Sequence, residues 1–155
     1  MDNSDVAPLI KTFHCLLHSF RKSAKTVFGE KSPRYFYGFM KELSKEMEEL
    51  FEINEDIEKS IRAFEEFFSS SGIMKVKVEN MDEREYRLKI STCKFAPHCP
   101  SHSSPEISKD DICFIGYFFG ALLHKMTGLY PVMAPKSVSD DGMELDFRLV
   151  RVIKI

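Results

Sequence analysis

The first half of the chain repeats its apolar residues at the three- and four-residue spacing of amphipathic helices. Gly29 and the polar stretch around Asn54 divide it into three predicted helices. Ser32 and Asn54 are expected to cap the second and third helices, and Gly72 to end the third. The apolar positions are, helix by helix, Leu9, Phe13, Leu16, Leu17, Phe20, Ala24 and Val27; Phe36, Phe39, Met40, Leu43, Met47 and Leu50; Ile57, Ile61, Phe64 and Phe68.

After Gly72 the apolar period changes to two, which predicts β-strands with one wet face. Two hairpins follow from this alternation, one early and one at the end of the chain. Pro131 and Pro135 predict that the strand holding them lies at an edge of the sheet, because proline cannot donate a ladder hydrogen bond. The inward positions are Met74, Val76, Val78, Tyr86, Leu88, Ile90, Met143, Leu145, Phe147 and Leu149.

Between the hairpins, Ile112–Leu123 is an unbroken run of apolar or small residues. It is shorter than the roughly 20 residues that cross a bilayer, so it predicts a helix buried inside the protein. Gly116 and Gly120 lie on one stripe of that helix and predict a close approach by a neighbouring element. The whole pattern predicts one α+β domain over residues 1–155, in the order ααα-ββ-α-ββ, with helices on one face of a four-stranded antiparallel sheet.

Composition and net charge narrow the kinds of function that the protein can have. The 155 residues carry a formal net charge of −2, which argues against nucleic acid as a partner. Met1–Asp5 lacks the positive start and apolar stretch of a secretion signal, and no segment reaches the length of a membrane span. We therefore expect a cytoplasmic protein, in which cysteines stay reduced.

Four residues around the predicted buried helix have the chemistry of a structural zinc site. Cys93, Cys99, His102 and Cys113 offer three thiolates and one imidazole, a common tetrahedral set. His98 competes with His102 for the fourth position. The alternative is a reduced Cys113 in the core with solvated histidines.

The bulky residues of the buried helix are candidates for contacting an apolar guest. We expect Phe114, Tyr117, Phe118 and Leu122 to line such a site, in a core made deformable by 14 Phe and 8 Met residues. No nucleophile elbow, phosphate-binding loop or dinucleotide fingerprint is present. No catalytic residue is assigned, and the sequence favours binding over catalysis.

The chain from Ser32 to Ile155 resembles the vinyl-4-reductase, or hydrocarbon-binding, domain family, and archaeal members in particular. The residues that carry the resemblance are Cys113, Gly116-Tyr117-Phe118-Phe119-Gly120, Gly128, Asp141-Gly142 and Phe147. The family is similar in fold to haem-based nitric-oxide sensor domains and to subunits of the Golgi tethering complex. This chain departs from the family at Ser137 and Leu145, where cysteines are frequent, so a site built on those cysteines is not expected.

The resemblance implies a module that binds a small apolar or amphipathic ligand and is not itself catalytic. A second hypothesis is an assembly protein, in which a partner chain, for example in a homodimer, covers the same apolar surface. A third, a reductase subunit, lacks any supporting cofactor motif. Native mass spectrometry separates the first two, because it shows either a bound guest or an oligomer.

Overall fold

The computed structural model describes residues 12, 15–16, 19–20, 23–24, 26–29, 32–98 and 113–151. The helices are α1 (Ser32–Glu46), α2 (Ile57–Ser70) and α3 (Phe114–Thr127), and the strands are β1 (Lys75–Asp82), β2 (Glu85–Ser91), β3 (Tyr130–Ser139) and β4 (Gly142–Val150). Short 3-10 turns lie at Met47–Glu49 and Ala96–His98. Residues 12, 15–16, 19–20, 23–24 and 26–28 are also helical and are called the N-terminal helical residues.

The four strands form one antiparallel sheet in the order β1-β2-β4-β3. This confirms the predicted α+β class, the order of elements and the edge position of the proline-containing strand. Alternate residues of the strands are buried beneath the helices, as the period of two predicted, among them Val76, Leu88, Leu145 and Phe147. The other face carries ion pairs, of which Arg87 Nε to Asp146 Oδ1 is 2.7 Å and joins register partners of β2 and β4.

Helix α2 begins two residues later than the sequence indicated. Asp56, not Asn54, caps it: its side chain accepts from the backbone N–H groups of Glu58 at 2.9 Å and Lys59 at 3.3 Å. The Asn54 side chain instead accepts from the Asp56 N–H at 3.0 Å. The prediction that Asn54 is the cap was wrong because a better-placed carboxylate follows it.

Helix α2 also covers the outer edge of β1. The Glu65 carboxylate accepts from the Val78 N–H at 2.6 Å, and Ser69 Oγ accepts from the Val76 N–H at 3.0 Å. These side chains take the place of a neighbouring strand. At the opposite edge, β3 holds Pro131 and Pro135, which have no N–H to offer. Both edges of the sheet are therefore poor templates for pairing with another strand.

Candidate functional site

Helix α3 lies at the centre of the helical layer. It begins at Phe114, with Cys113 as its N-cap residue, and ends where Gly128 adopts a left-handed conformation at φ 68°. Nearly every position from Ile115 to His124 is buried, with Phe118 half-buried. The predicted burial of this helix is confirmed from Cys113 onward, and Ile112 lies outside the described residues.

Gly120 is a point of close contact between α3 and two neighbouring elements. A Cβ atom placed on it would overlap with Met40 Cε on α1 and would lie 3.3 Å from both Met133 Sδ and Pro131 Cγ on β3. The expected close approach is therefore present at Gly120. Gly116 is also buried.

The four predicted lining residues occupy different environments around α3. Tyr117 is buried and meets Phe39 of α1 edge to face, with ring centroids 5.9 Å apart. Phe118 is half-buried, 5.8 Å from Phe68 of α2. Leu122 is fully buried, and Phe114 is half-buried at the start of the helix. The structure thus joins all four to the packed core, Tyr117 and Leu122 within it and Phe114 and Phe118 against it, and ligand binding by them stays a prediction.

His124, on the same stripe as Gly120, already has a structural partner. It is largely buried, and its Nδ1 lies 2.9 Å from the carbonyl oxygen of Leu129, just after the end of α3. The imidazole therefore helps hold the connection from α3 into β3.

Two of the four predicted zinc ligands lie within the described residues. Cys93 is buried in the loop after β2, where its N–H donates to the Asp141 carbonyl at 2.7 Å, and Cys113 is half-buried. Burial raises the pKa of the Cys93 thiol, and the backbone N–H groups of Phe95 and Ala96 oppose that rise. Cys99 and His102 lie outside the described residues, as does the side chain of His98. In the described part of the chain, no three Cys, His, Asp or Glu side chains are grouped as a metal site requires.

Several of the N-terminal helical residues carry exposed apolar side chains. The sequence pattern did not predict this exposure. Leu16, Phe20 and Val27 are 65%, 42% and 71% exposed, and we call them the N-terminal apolar surface. On the same helix Ala24 is buried, and the ring of Phe20 lies 6.4 Å from that of Phe39. Among the described residues of this helix, Phe20 therefore contacts α1 while Leu16 and Val27 remain largely exposed. Leu9, Phe13 and Leu17 lie outside the described residues.

The sequence held no signal for this exposure. Successive residues of an α-helix turn by about 100°, so Leu16, Val27 and Phe20 fall within about 40° of one another, and Ala24 lies about 40° beyond Phe20. An apolar face of about 80° is no wider than the stripe that a helix buries against one core. The pattern therefore predicts one contact for the whole face.

Leu50 is a second apolar residue that the predicted pattern placed inward and that the structure exposes. It is 42% exposed because the helix of which it was expected to be part ends at Glu46 and a 3-10 turn follows. The tighter turn moves Leu50 off the inner stripe, whereas Met40 and Met47 of the same stripe are fully buried. Among the described residues no helix combines the length and apolar character needed to cross a bilayer.

Comparison with known proteins adds a likeness of fold. No family model and no curated protein match the chain. A crystal structure of trafficking protein particle complex subunit 3 from Naegleria fowleri, covalently bound to palmitic acid, matches 99% of this chain and 100% of its own, with a TM-score of 0.55 at 12% sequence identity. The expected likeness in fold to tethering-complex subunits is thus confirmed. The assignment to the vinyl-4-reductase family gains no support.

Proposed function

We propose that this chain is a subunit of a protein assembly and that its N-terminal apolar surface docks a second chain, the simplest being another copy of itself. The single observation that carries the proposal is the exposure of Leu16 and Val27 on the helix whose Phe20 contacts Phe39 of α1. Contiguous exposed apolar side chains on one helix face are typical of a protein interface.

The free energy of burying apolar surface favours a docked N-terminal apolar surface over one that stays exposed to water. Removing apolar surface from water yields about 25 cal/mol per Å², so covering two large aliphatic side chains and part of a phenylalanine ring contributes several kcal/mol toward association. Among the described residues of this helix, the chain's own elements bury Ala24 and contact one side of Phe20. A helix in a second chain can lie along the remaining half of the face.

The fold neighbour supports the same class of function, since it is a subunit of a particle that assembles from several chains. The protected sheet edges described above leave helix surfaces as the means of association. Strand addition at β1 would have to displace the hydrogen bonds from Val76 and Val78 to α2.

Native mass spectrometry tests this proposal. We expect the unmodified chain to give a dimer and Leu16→Glu or Val27→Glu to give monomer, because a buried carboxylate without a partner is strongly unfavourable. Ser19→Glu is the matched control, since Ser19 is an exposed helical position outside the apolar surface. A monomeric unmodified chain, or dimers unchanged by both glutamates, would contradict the proposal.

A second candidate function is binding of an apolar or amphipathic ligand beside α3. The observation that favours it is the palmitic acid of the fold neighbour, together with the half-buried Phe114 and Phe118 in the first half of this helix. We propose that an acyl chain lies against these rings, with Tyr117 and Leu122 beneath them and a structural zinc at Cys93, Cys99, His102 and Cys113 holding the adjoining loop.

Mass spectrometry under native and denaturing conditions separates this candidate from a plain assembly role. A mass increment of a long-chain fatty acid that decreases in Phe118→Ala supports it. Phe28→Ala is a suitable control, since Phe28 is an exposed ring on a different helix. If the purified chain shows no added mass of a fatty acid and does not take up added palmitate, ligand binding is contradicted. The assembly proposal is then unaffected.

A further inference from the structure

The turn between β3 and β4 binds the chain that leaves β2. The carboxylate of Asp141 accepts from the Thr92 N–H at 3.1 Å, and the backbone carbonyl of Asp141 accepts from the Cys93 N–H at 2.7 Å. The other carboxylate oxygen of Asp141 accepts from Ser139 Oγ, also at 3.1 Å. One residue of the turn therefore holds two consecutive backbone N–H groups, while a hydroxyl group of the same turn fixes its side chain.

Gly142 brings this turn into direct contact with the end of β2. A Cβ atom placed on Gly142 would overlap with the carbonyl oxygen of Ile90 and would lie 3.0 Å from Ser91 Cα. The two backbones are therefore in contact with no side chain between them, a closeness that glycine permits. This contact places Asp141 within hydrogen-bond distance of the residues that follow β2.

Thr92 has a backbone conformation that needs a constraint from outside. Its φ is 49°, and no other non-glycine residue in the described part of the chain has a positive φ. The left-handed region is unfavourable for an L-residue, and most of all for a β-branched one, because Cβ crowds the backbone. In return, a left-handed residue lets successive N–H groups converge on one acceptor group. The hydrogen bonds to Asp141 thus offset the strain at Thr92.

The strained residue directly precedes a buried thiol. Strand β2 ends at Ser91, and the chain is already inside the protein two residues later, where Cys93 is 8% exposed. Phe95 and Ala96, which follow, are also buried. The left-handed turn at Thr92 therefore directs the chain into the core, and the Cys93 thiol is covered as a result.

We propose that Asp141 is a positioning residue that controls access to the Cys93 thiol. While its hydrogen bonds are in place, Thr92 stays left-handed and the thiol is buried. When they are lost, Thr92 relaxes to a negative φ, the chain after β2 changes direction and the thiol meets solvent. This inference goes beyond both functions proposed above, because it concerns the thiol whether or not a metal or a ligand is bound.

Alkylation of the full chain by iodoacetamide, followed at each cysteine by peptide mass spectrometry, tests the inference. Asp141→Ala should raise the alkylation rate of Cys93 by about tenfold, because loss of the Thr92 hydrogen bond makes local opening more frequent. Asp141→Asn keeps an acceptor oxygen and should stay within about threefold of the unmodified rate. EDTA is present throughout, so that a bound metal cannot itself shield the thiol.

A second substitution tests the strain at Thr92 separately from the hydrogen bond. Glycine adopts a positive φ as readily as a negative one, so Thr92→Gly removes the tendency to leave the left-handed conformation. Cys93 in Thr92→Gly should therefore react at about the unmodified rate. The double variant of Thr92→Gly with Asp141→Ala should lose most of the increase seen in Asp141→Ala alone. A double variant as reactive as Asp141→Ala would contradict the proposal.

Asp140→Ala is the matched control. Asp140 is an exposed residue of the same turn, and its carboxylate bonds to no other residue that the structure describes. The substitution makes the same change of charge and should leave the rate at Cys93 unchanged. Cys15 is exposed and reports the activity of the reagent, whereas the half-buried Cys113 reports general loosening of the fold.

The inference is overturned if Asp141→Ala leaves Cys93 as slow as in the unmodified chain, or if Cys113 accelerates by the same factor. Hydrogen exchange of the unmodified chain provides a measurement that needs no variant. The Thr92 and Cys93 amides should exchange at least about tenfold more slowly than in an unstructured chain, and unprotected amides would also overturn the inference. These readouts depend neither on the mass of the assembly nor on bound fatty acid, so the functions proposed above are tested separately.

Discussion

Gly120 of α3 lies directly against Met40 of α1, so that a single added carbon at Gly120 would overlap with the terminal methyl of Met40. The same position also abuts Pro131 and Met133 of β3. The absence of a side chain at Gly120 thus leaves room for the Met40 methyl group and for two side chains of the sheet. The sequence predicted this contact from the Gly116 and Gly120 stripe, and the structure confirms it at Gly120.

Gly120→Leu is expected to destabilise the fold. Inserting a large side chain into a packed contact costs about 1–3 kcal/mol, although leucine recovers roughly 0.8 kcal/mol of helix propensity. Gly38→Leu is the matched control, because Gly38 is also helical and has no neighbour within 4 Å of an added Cβ. The Gly38→Leu substitution should leave the free energy of unfolding unchanged or raise it. Urea unfolding measures both, and equal stability of the two variants would contradict the close contact.

Glu65→Ala is expected to weaken the protected edge of β1. The substitution removes the acceptor of the Val78 N–H, which costs about 1–3 kcal/mol if the group stays buried, and it exposes an edge to other chains. Glu66→Ala, at the adjacent exposed position, should change stability by less than about 0.5 kcal/mol. Thermal melts and light scattering after heating report both effects. Identical aggregation of the two variants would show that Glu65 does not guard the edge.

Tyr86 should make the fold sensitive to alkali. Burial, and next the negative charge of Glu58, raise the pKa of Tyr86 above its ordinary value. The folded state therefore keeps the phenol proton at a pH where the unfolded chain loses it. The resulting stabilisation is fully present below about pH 10 and is lost as the pH rises through the folded-state pKa. Tyr86→Phe should flatten the decline in unfolding free energy between about pH 9 and 11. A parallel decline in both proteins would contradict this.

The zinc prediction is tested by metal analysis of chain purified without a histidine tag. We expect about one zinc per chain, bound by Cys93, Cys99, His102 and Cys113, and its loss in Cys99→Ser. Cys15→Ser is the control, since Cys15 is exposed on the N-terminal helix and outside the predicted set. Full retention of metal in Cys99→Ser would exclude this ligand set.

Sequence patterns predicted the fold well where burial alone decides it. The period of two located the strands, and the unbroken apolar run located α3, because both signals report which side chains avoid water. The pattern was less informative where an apolar residue has two potential neighbours. Leu16 and Val27 have the same apolar character as Ala24, yet only Ala24 is buried by the chain's own elements. Periodicity cannot distinguish a face buried in the fold from one buried in an assembly.

Apolar periodicity is equally uninformative about the ligand of the candidate site. Burial of Leu122 and the aromatic contacts of Tyr117 and Phe118 follow from their place on α3, but packing against α1 and α2 does not specify a guest. The exposure of Leu50 was missed because this residue appeared to continue an inner helical stripe. A 3-10 turn after Glu46 rotates it outward, and such local tightening has no clear mark in the pattern of apolar residues.

The most direct test of the assembly proposal is sedimentation equilibrium of the unmodified chain beside Leu16→Glu and Ser19→Glu. We expect twice the mass of the 155-residue chain for the unmodified protein and for Ser19→Glu, and a single-chain mass for Leu16→Glu. A single-chain mass for the unmodified protein at concentrations up to about 100 μM, where an interface worth only about 6 kcal/mol would already associate, would contradict it.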